Sequence, residues 1–450
     1  MMDRLGGKQR GERVSMRKVA TASFAGALME WYDFFLYGTA SALVFNELFF
    51  PNFDPTVGTI AAFATFGVGF VMRPVGGAIF GHYGDRLGRK AMLILSILIM
   101  GGGTFLIGLL PTYQSIGIWA PILLVVLRLL QGIGLGGEYG GAALMTIEHS
   151  PRNQRGFWAG VPQSAASAGI LLATGVFALV SLLPQSQLLS WGWRVPFLIS
   201  VLLLGVGLYI RVRIAETPAF TRMKKEGNEA RIPLFELLRS YPKNIFLTLG
   251  ARLAETVSSN IINAFGIAYL TTQLGLSKST GLSGILIASA IGVLVCPLFG
   301  AISDRVGRRP VYMAGTGFLV LFAFPFFLLL DTRVLALIWL AIIAGYIFGP
   351  TLVFAVQSVF FTELFGTQVR YSGVSIAYQL SSIVGGVTPL IATSLLAAGG
   401  GKPWLVAAFL AAISLLSFAC TYLATETFRN DIAEAEEDRV RHTMMASAEE

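Results

Sequence analysis

Seven ionisable residues interrupt stretches that are otherwise apolar, small or aromatic: Glu30, Asp33, Arg73, Arg128, Glu138, Arg252 and Glu255. If those stretches cross a bilayer, each central charge costs about 2.5–3.5 kcal/mol, so it is kept where it pairs or performs a task. Glu30 with Asp33, and Arg252 with Glu255, stand three residues apart, which puts both members of each pair on one helix face. Such a set allows two kinds of chemistry. A carboxylate removed from water favours its proton, unless a nearby Arg holds it ionised. A guanidinium grips a carboxylate with both arms of a planar fork. An Arg that turns from a protein carboxylate to a bound anion leaves the carboxylate to a proton, which links proton and anion occupancy. Arg73 and Arg252 are candidate carboxylate clamps, and Glu30, Glu138 and Glu255 are further carboxylates of the set. Tyr37, Tyr378 and Gln379 are candidate lining residues that orient hydroxyl groups. The same observations also suit local structural bridges, Arg252–Glu255 above all.

The elements that position these residues follow from composition. The 450 residues are 54% hydrophobic and 13% charged, with a mean hydropathy of +0.69, whereas soluble domains carry about 25% charged residues. Twelve apolar runs are long enough to span a membrane as helices: about 19–44, 57–81, 91–111, 119–145, 157–183, 193–213, 245–271, 281–303, 311–330, 334–361, 371–398 and 403–425. The first run carries Glu30 and Asp33 and no A-x-A site follows it, so it reads as a permanent span. Of 33 Lys and Arg, 26 fall in one alternate set of connecting segments, and only Arg194, Lys278, Arg333 and Lys402 in the other. This bias puts both termini in the cytoplasm and explains the net charge of +8 without a nucleic-acid partner. Cys296 and Cys420 lie in separate apolar runs and read as small buried hydrophobes. The three histidines are not clustered for metal binding. No nucleophile–base or metal constellation points to an enzyme.

Three motifs recur in the same order roughly 210–219 residues apart. G-x-x-x-D-R-x-G-R-[KR] occurs at 81–90 and 300–309; Glu148 precedes Arg155 by seven residues, as Glu363 precedes Arg370; and Glu-Thr occurs at 216–217 and 426–427. The expected plan is an all-α polytopic membrane protein of two six-helix pseudo-repeats. Its segments are a tail (1–18), a first bundle (19–213), a charged linker (214–244), a second bundle (245–425) and a second tail (426–450). In the repeated loops Gly81, Asp85, Arg86, Gly88, Arg89, Glu148 and Arg155 form one expected latch. Asp304, Arg305, Arg308, Glu363 and Arg370 form its counterpart. The acids are placed to cap or bridge neighbouring helix ends. GIGLGGE (132–138) sits inside a long apolar span, so its glycines read as sites of close helix approach. Pro162, Pro297, Pro350 and Pro389 are expected bend points.

With the doubled motif and the six-plus-six plan, the chain resembles the major facilitator superfamily, and within it the metabolite:proton symporter family. The resemblance runs through WYDFFLYG (31–38), FATFGVGFVMRPVGGAIFGHYGDRLGRK (63–90), RLLQGIGLGGEYGGAAL (128–144), SWGWRVPF (190–197) and FTELFGTQVRYSG (361–373). It implies proton-driven import of a small organic anion by alternating access, the anion being shikimate-like or a di- or tricarboxylate. Asp33 and Arg128 fall on the positions of the proton-coupling pair of sugar-porter relatives, with Arg128 also within reach of substrate. The resemblance further implies no cofactor beyond the proton gradient, a monomer among membrane lipids, and a bacterial-type inner membrane. An efflux antiporter or a uniporter of organic acids is the alternative. The span-5 sequence GVPQSAASAGILLATG (160–175) lacks the spacing of the antiporter motif.

Overall fold

A computed structural model describes residues 16–77, 79–80, 89–136, 146–147, 150–213, 241–365 and 370–428. Gly81, Asp85, Arg86, Gly88, Glu138, Glu148, residues 214–240 of the linker and both outer tails lie outside these, as do the side chains of Arg89 and Arg370.

Twelve long helices carry the described chain. The first six are α1 (Met16–Leu43), α2 (Pro55–Val71), α3 (Arg89–Leu109), α4 (Trp119–Leu135), α5 (Arg155–Val180) and α6 (Arg194–Arg213). The second six are α7 (Pro242–Asn260), α8 (Lys278–Val306), α9 (Arg308–Asp331), α10 (Leu335–Glu363), α11 (Arg370–Ala398) and α12 (Trp404–Leu423). Among the described residues eight helices are long and apolar enough to cross a membrane, and apolar stretches of α3 and α4 are shorter. The two remaining helices, α1 and α7, hold the paired ionisable residues. Helix is the form that hydrocarbon imposes, because it bonds every backbone group within its own segment.

Local sequence sets the ends and bends. Asp54 caps α2 by accepting from the Thr56 amide at 2.9 Å, with Pro55 in the first turn. Gly307 separates α8 from α9 at φ 113°, a conformation that disfavours any side chain. α7 runs on to Gln273 through two π turns, Ile261–Phe265 and Tyr269–Gln273. α10 breaks at Gly349 (φ −92°, ψ −107°), directly before Pro350. Pro162, Pro297 and Pro389 lie inside α5, α8 and α11.

α1–α6 and α7–α12 form the two halves of the molecule. Odd-numbered helices start, and even-numbered helices end, on the face where Met16 lies; we term this the first face. The seam between the halves is built by α5 against α8 and α2 against α11, with α1 against the first π turn of α7. Gly156 and Gly300 bring α5 and α8 together backbone to backbone near the first face, and Gly67 meets Gly386 between α2 and α11. At the second face Lys278 Nζ donates to the Leu43 carbonyl at 3.2 Å, joining α8 to α1. Described contacts thus join the halves near both faces.

Within the first half α2 and α4 approach as the glycine-rich segment predicts. A Cβ at Gly132 would overlap the Gly69 carbonyl, and one at Gly136 would overlap the backbone of Arg73 and Gly77. Gly132→Ala is therefore expected to destabilise the protein by about 1–3 kcal/mol, the usual effect of overpacking. Gly102→Ala, where an added Cβ meets nothing within 4 Å, should be neutral or slightly stabilising. Thermal unfolding of the two detergent-purified variants, followed by size-exclusion fluorescence, checks this; equal midpoints would contradict it.

Candidate functional site

The sequence-predicted charges converge on the seam from both halves. On α1, Asp33 is 3% and Glu30 7% exposed. Arg128 enters from α4, its guanidinium carbon 4.2 Å from the Tyr37 ring centroid and 5.1 Å from that of Phe66. Its Nη1 donates to Gln131 Oε1 at 3.1 Å, and Gln131 Nε2 donates to Thr104 Oγ1 at 2.6 Å. Gly69 makes room for this arrangement, since a Cβ there would stand 2.9 Å from Arg128 Nε. Thr65 donates to the Ala62 carbonyl, so Tyr37 is the donor in its 2.7 Å hydrogen bond to Thr65 Oγ1. Arg128 is held by aromatic faces and one amide, a setting that orients the cation while leaving it within the electrostatic reach of Asp33 and Arg73. Arg73 lies 4.3 Å from the Phe70 ring and feels the charges of Glu30 on α1 and Arg252 across the seam.

In the second half Arg252 is committed to α11. Nη1 donates to the Tyr378 carbonyl at 2.7 Å, to Ser381 Oγ at 2.5 Å and to Ser382 Oγ at 3.1 Å. Its guanidinium carbon stacks 3.4 Å from the Tyr378 ring centroid. Nη2 lies 4.0 Å from Glu255 Oε2. Arg252 therefore ties α7 to α11 through Nη1. Gln379 crosses the seam, donating to the Gly136 carbonyl at 3.2 Å.

Between the halves lies a cavity of about 20 Å³, room for about one water. Its lining includes apolar side chains (Trp31, Phe35, Phe354) and hydroxyl- and amide-bearing ones (Gln163, Ser167, Tyr346). Ser167 and Tyr346 share a 2.9 Å hydrogen bond from α5 to α10, and Gln163 donates to the Phe354 carbonyl at 3.1 Å. Of the sequence-predicted substrate residues Glu255 alone lines this cavity; Arg73, Arg128, Arg252, Tyr37, Tyr378 and Gln379 do not.

The described latch residues assemble on the first face. Asp304, at the end of α8, accepts from the amides of Gly156 (2.8 Å) and Phe157 (2.9 Å), the first turn of α5 in the other half. A carboxylate there satisfies two orphan donors and meets the positive end of the helix dipole. Arg308 pairs with Asp304 at 2.7 Å and lies 3.5 Å from Glu363. Thr427 donates to Glu363 at 2.7 Å, and Glu426 accepts from the amides of Arg308 and Arg309 at 3.0 Å each, capping α9. Arg305 stands apart from this network and is exposed, and Arg155 opens α5 half-buried.

Sequence reasoning missed several of these residues. Glu426 and Thr427 were visible as a repeated Glu-Thr pair, but nothing in one dimension places them at the start of α9. Gln131 carried a usable signal, three residues after Arg128 and so on its face. Gln163, Ser167 and Tyr346 had none, because polar residues in apolar runs are often merely packed.

A model of the family described as sugar (and other) transporter matches residues 18–243 and 233–438. The chain is 43% identical to the shikimate transporter of Escherichia coli over 418 residues, 92% of this chain and 95% of that protein. It is 38% identical to the proline/betaine transporter of Escherichia coli over 393 residues, 84% and 77% of the two chains. In fold it is similar to a D-xylose–proton symporter, with a TM-score of 0.70 at 18% identity over 92% of this chain and 99% of that one.

Loss of the Asp304 charge should open the first face. Asp304→Asn gives up a charged helix cap of about 1–2 kcal/mol, which shifts the closed-to-open ratio roughly 5- to 30-fold. Spin-label distances between the first turn of α5 and the last turn of α8, in a background lacking Cys296 and Cys420, should acquire a longer population. An unchanged distance distribution would show that Asp304 holds nothing closed.

Proposed function

Since the chain belongs to the sugar (and other) transporter family, within the major facilitator superfamily of membrane-spanning small-molecule transporters, we propose that it is a proton-coupled symporter importing a small organic anion. The observation that carries this reading is the collection of buried acids and arginines from α1, α2, α4 and α7 at a seam joined near both faces. Charge of both signs at mid-depth is costly and rewards pairing. Rocking of one half against the other would expose the central cavity first to one face and then to the other. Asp33 is the proposed proton site, with Arg128 as the partner that responds to its ionisation. The Asp304 network is the proposed latch of the first face, and the Lys and Arg bias puts that face in the cytoplasm.

The substrate class follows from the shikimate transporter relationship and from the cavity walls. The cavity as it stands holds about one water, so a substrate enters it only as the halves part; ring-like apolar surface would then meet Trp31 and Phe354, and hydroxyl groups Gln163, Ser167 and Tyr346. A hydroxylated cyclic carboxylate of the shikimate kind matches both kinds of lining. A thermal-shift screen of purified protein against shikimate, aromatic acids and di- and tricarboxylates tests the class, because a ligand at 100 times its Kd adds about 2.7 kcal/mol of stability.

Two variants test the coupling. Asp33→Asn is expected to abolish accumulation against a gradient in vesicles under an imposed pH gradient, while exchange of labelled substrate persists. Accumulation equal to the parent at matched expression would remove Asp33 from the role. Arg128→Lys loses the fork and its stacking, and uptake should fall about ten- to hundredfold, the worth of one charge-assisted hydrogen bond. Unaltered uptake would reduce Arg128 to a packing residue.

A further inference from the structure

The geometry of the central cavity points to Glu255 as a second proton-binding group, one that shares the substrate's own cavity; this inference rests on the symport reading above. Glu255 is 5% exposed and is the one charged residue among the cavity's lining. Its Oε2 accepts no hydrogen bond among the described residues, and the nearest cation, Arg252 Nη2, is 4.0 Å away. A carboxylate buried away from bulk water, with no protein donor on this oxygen among the described residues, is poorly served as an anion and well placed to carry a proton.

The groups around it are few. Arg252 faces it from its own helix, with Nη1 already given to Tyr378, Ser381 and Ser382 on α11. α10 contributes Tyr346, whose hydroxyl is engaged with Ser167 of α5, and α8 contributes Cys296. α1 presents Trp31 and Phe35 to the cavity, and neither titrates in the relevant range. On the other sides of α7, Tyr312 of α9 donates to the Ala251 carbonyl and Cys420 of α12 lies against Gly250. Across the seam Arg73 of α2 reaches Arg252 electrostatically. Among the described residues one cation, Arg252, therefore balances one carboxylate at the cavity.

An entering carboxylate anion upsets that balance. Arg252 cannot neutralise both Glu255 and the anion, and two like charges in a buried, water-sized space repel strongly. If Glu255 takes a proton as the anion enters, the local sum stays at zero: Arg252 positive, substrate negative, Glu255 neutral. The proton comes from the face to which the cavity is open, and it leaves with the substrate when the other face opens. The protonated Glu255 also becomes a hydrogen-bond donor towards the cavity, which an ionised carboxylate cannot be. Coupling at this position is direct, whereas Asp33 lies outside the lining and acts through the seam.

The test is the pH dependence of binding, measured by calorimetry on the full-length detergent-purified protein between pH 5 and 9, with shikimate and citrate as probes. In the parent, Kd should rise about tenfold per pH unit for each linked proton above its ionisation. Glu255→Gln, a neutral mimic of the protonated form, should lower the slope of log Kd against pH by one and still bind at pH 8. A slope unchanged from the parent overturns the inference while leaving the symport reading standing. If the parent binds neither probe at any pH, the symport reading falls and this inference falls with it. Should the Gln variant fail to fold, Glu255→Asp serves: retracting the carboxylate should displace the midpoint of the pH profile, and an unmoved midpoint overturns the inference.

Discussion

Charge taken out of water must be answered by charge or by hydrogen bonds, and this constraint organises the molecule. Every predicted mid-span ionisable residue that the structure describes turns inwards, to the seam or to the interior of a half. The lipid-facing surfaces are left to residues such as Leu202, Leu294 and Leu321. The result is two bundles whose most expensive groups lie where they can influence one another.

The seam depends on glycine as much as on charge. α5 and α8 touch through Gly156 and Gly300, and α2 and α11 through Gly67 and Gly386. Side chains at those points would hold the halves apart, leaving Asp304 out of reach of the α5 amides. Close backbone approach and the charged cap are therefore one device: the glycines bring the helix end to the carboxylate, and the carboxylate holds it there. The arrangement also accounts for the coupling of Arg308 to both Asp304 and Glu363, since one guanidinium spans the ends of α8 and α10. Among these contacts the Asp304 bonds to the α5 amides cross between the halves, whereas those of Arg308 stay within the second half.

The two halves divide the chemistry unequally. In the first, Arg128 sits in an aromatic cage, hydrogen-bonded to the Gln131 amide and within the electrostatic reach of Asp33. In the second, Arg252 gives Nη1 to α11 and Glu255 faces the cavity.

The twelve helices, the six-plus-six plan and the buried charges were legible in the sequence. They rest on one-dimensional quantities: the length of apolar runs, the three-residue spacing of Glu30 with Asp33 and of Arg252 with Glu255, and motifs recurring at one offset. Close approach at Gly132 was legible too, because small residues in an apolar run have few other uses. Tertiary structure decided which charges share a space. That depends on the rotation of each helix about its axis and on which helices meet across the seam, and neither is written in local spacing. Hence Arg252 proved to be bound to Ser381 and Ser382, more than 120 residues away in sequence, and Glu255 to face a cavity completed by Gln163, Ser167 and Tyr346. Glu426 found its amide partners only because the segment that follows α12 lies against the start of α9.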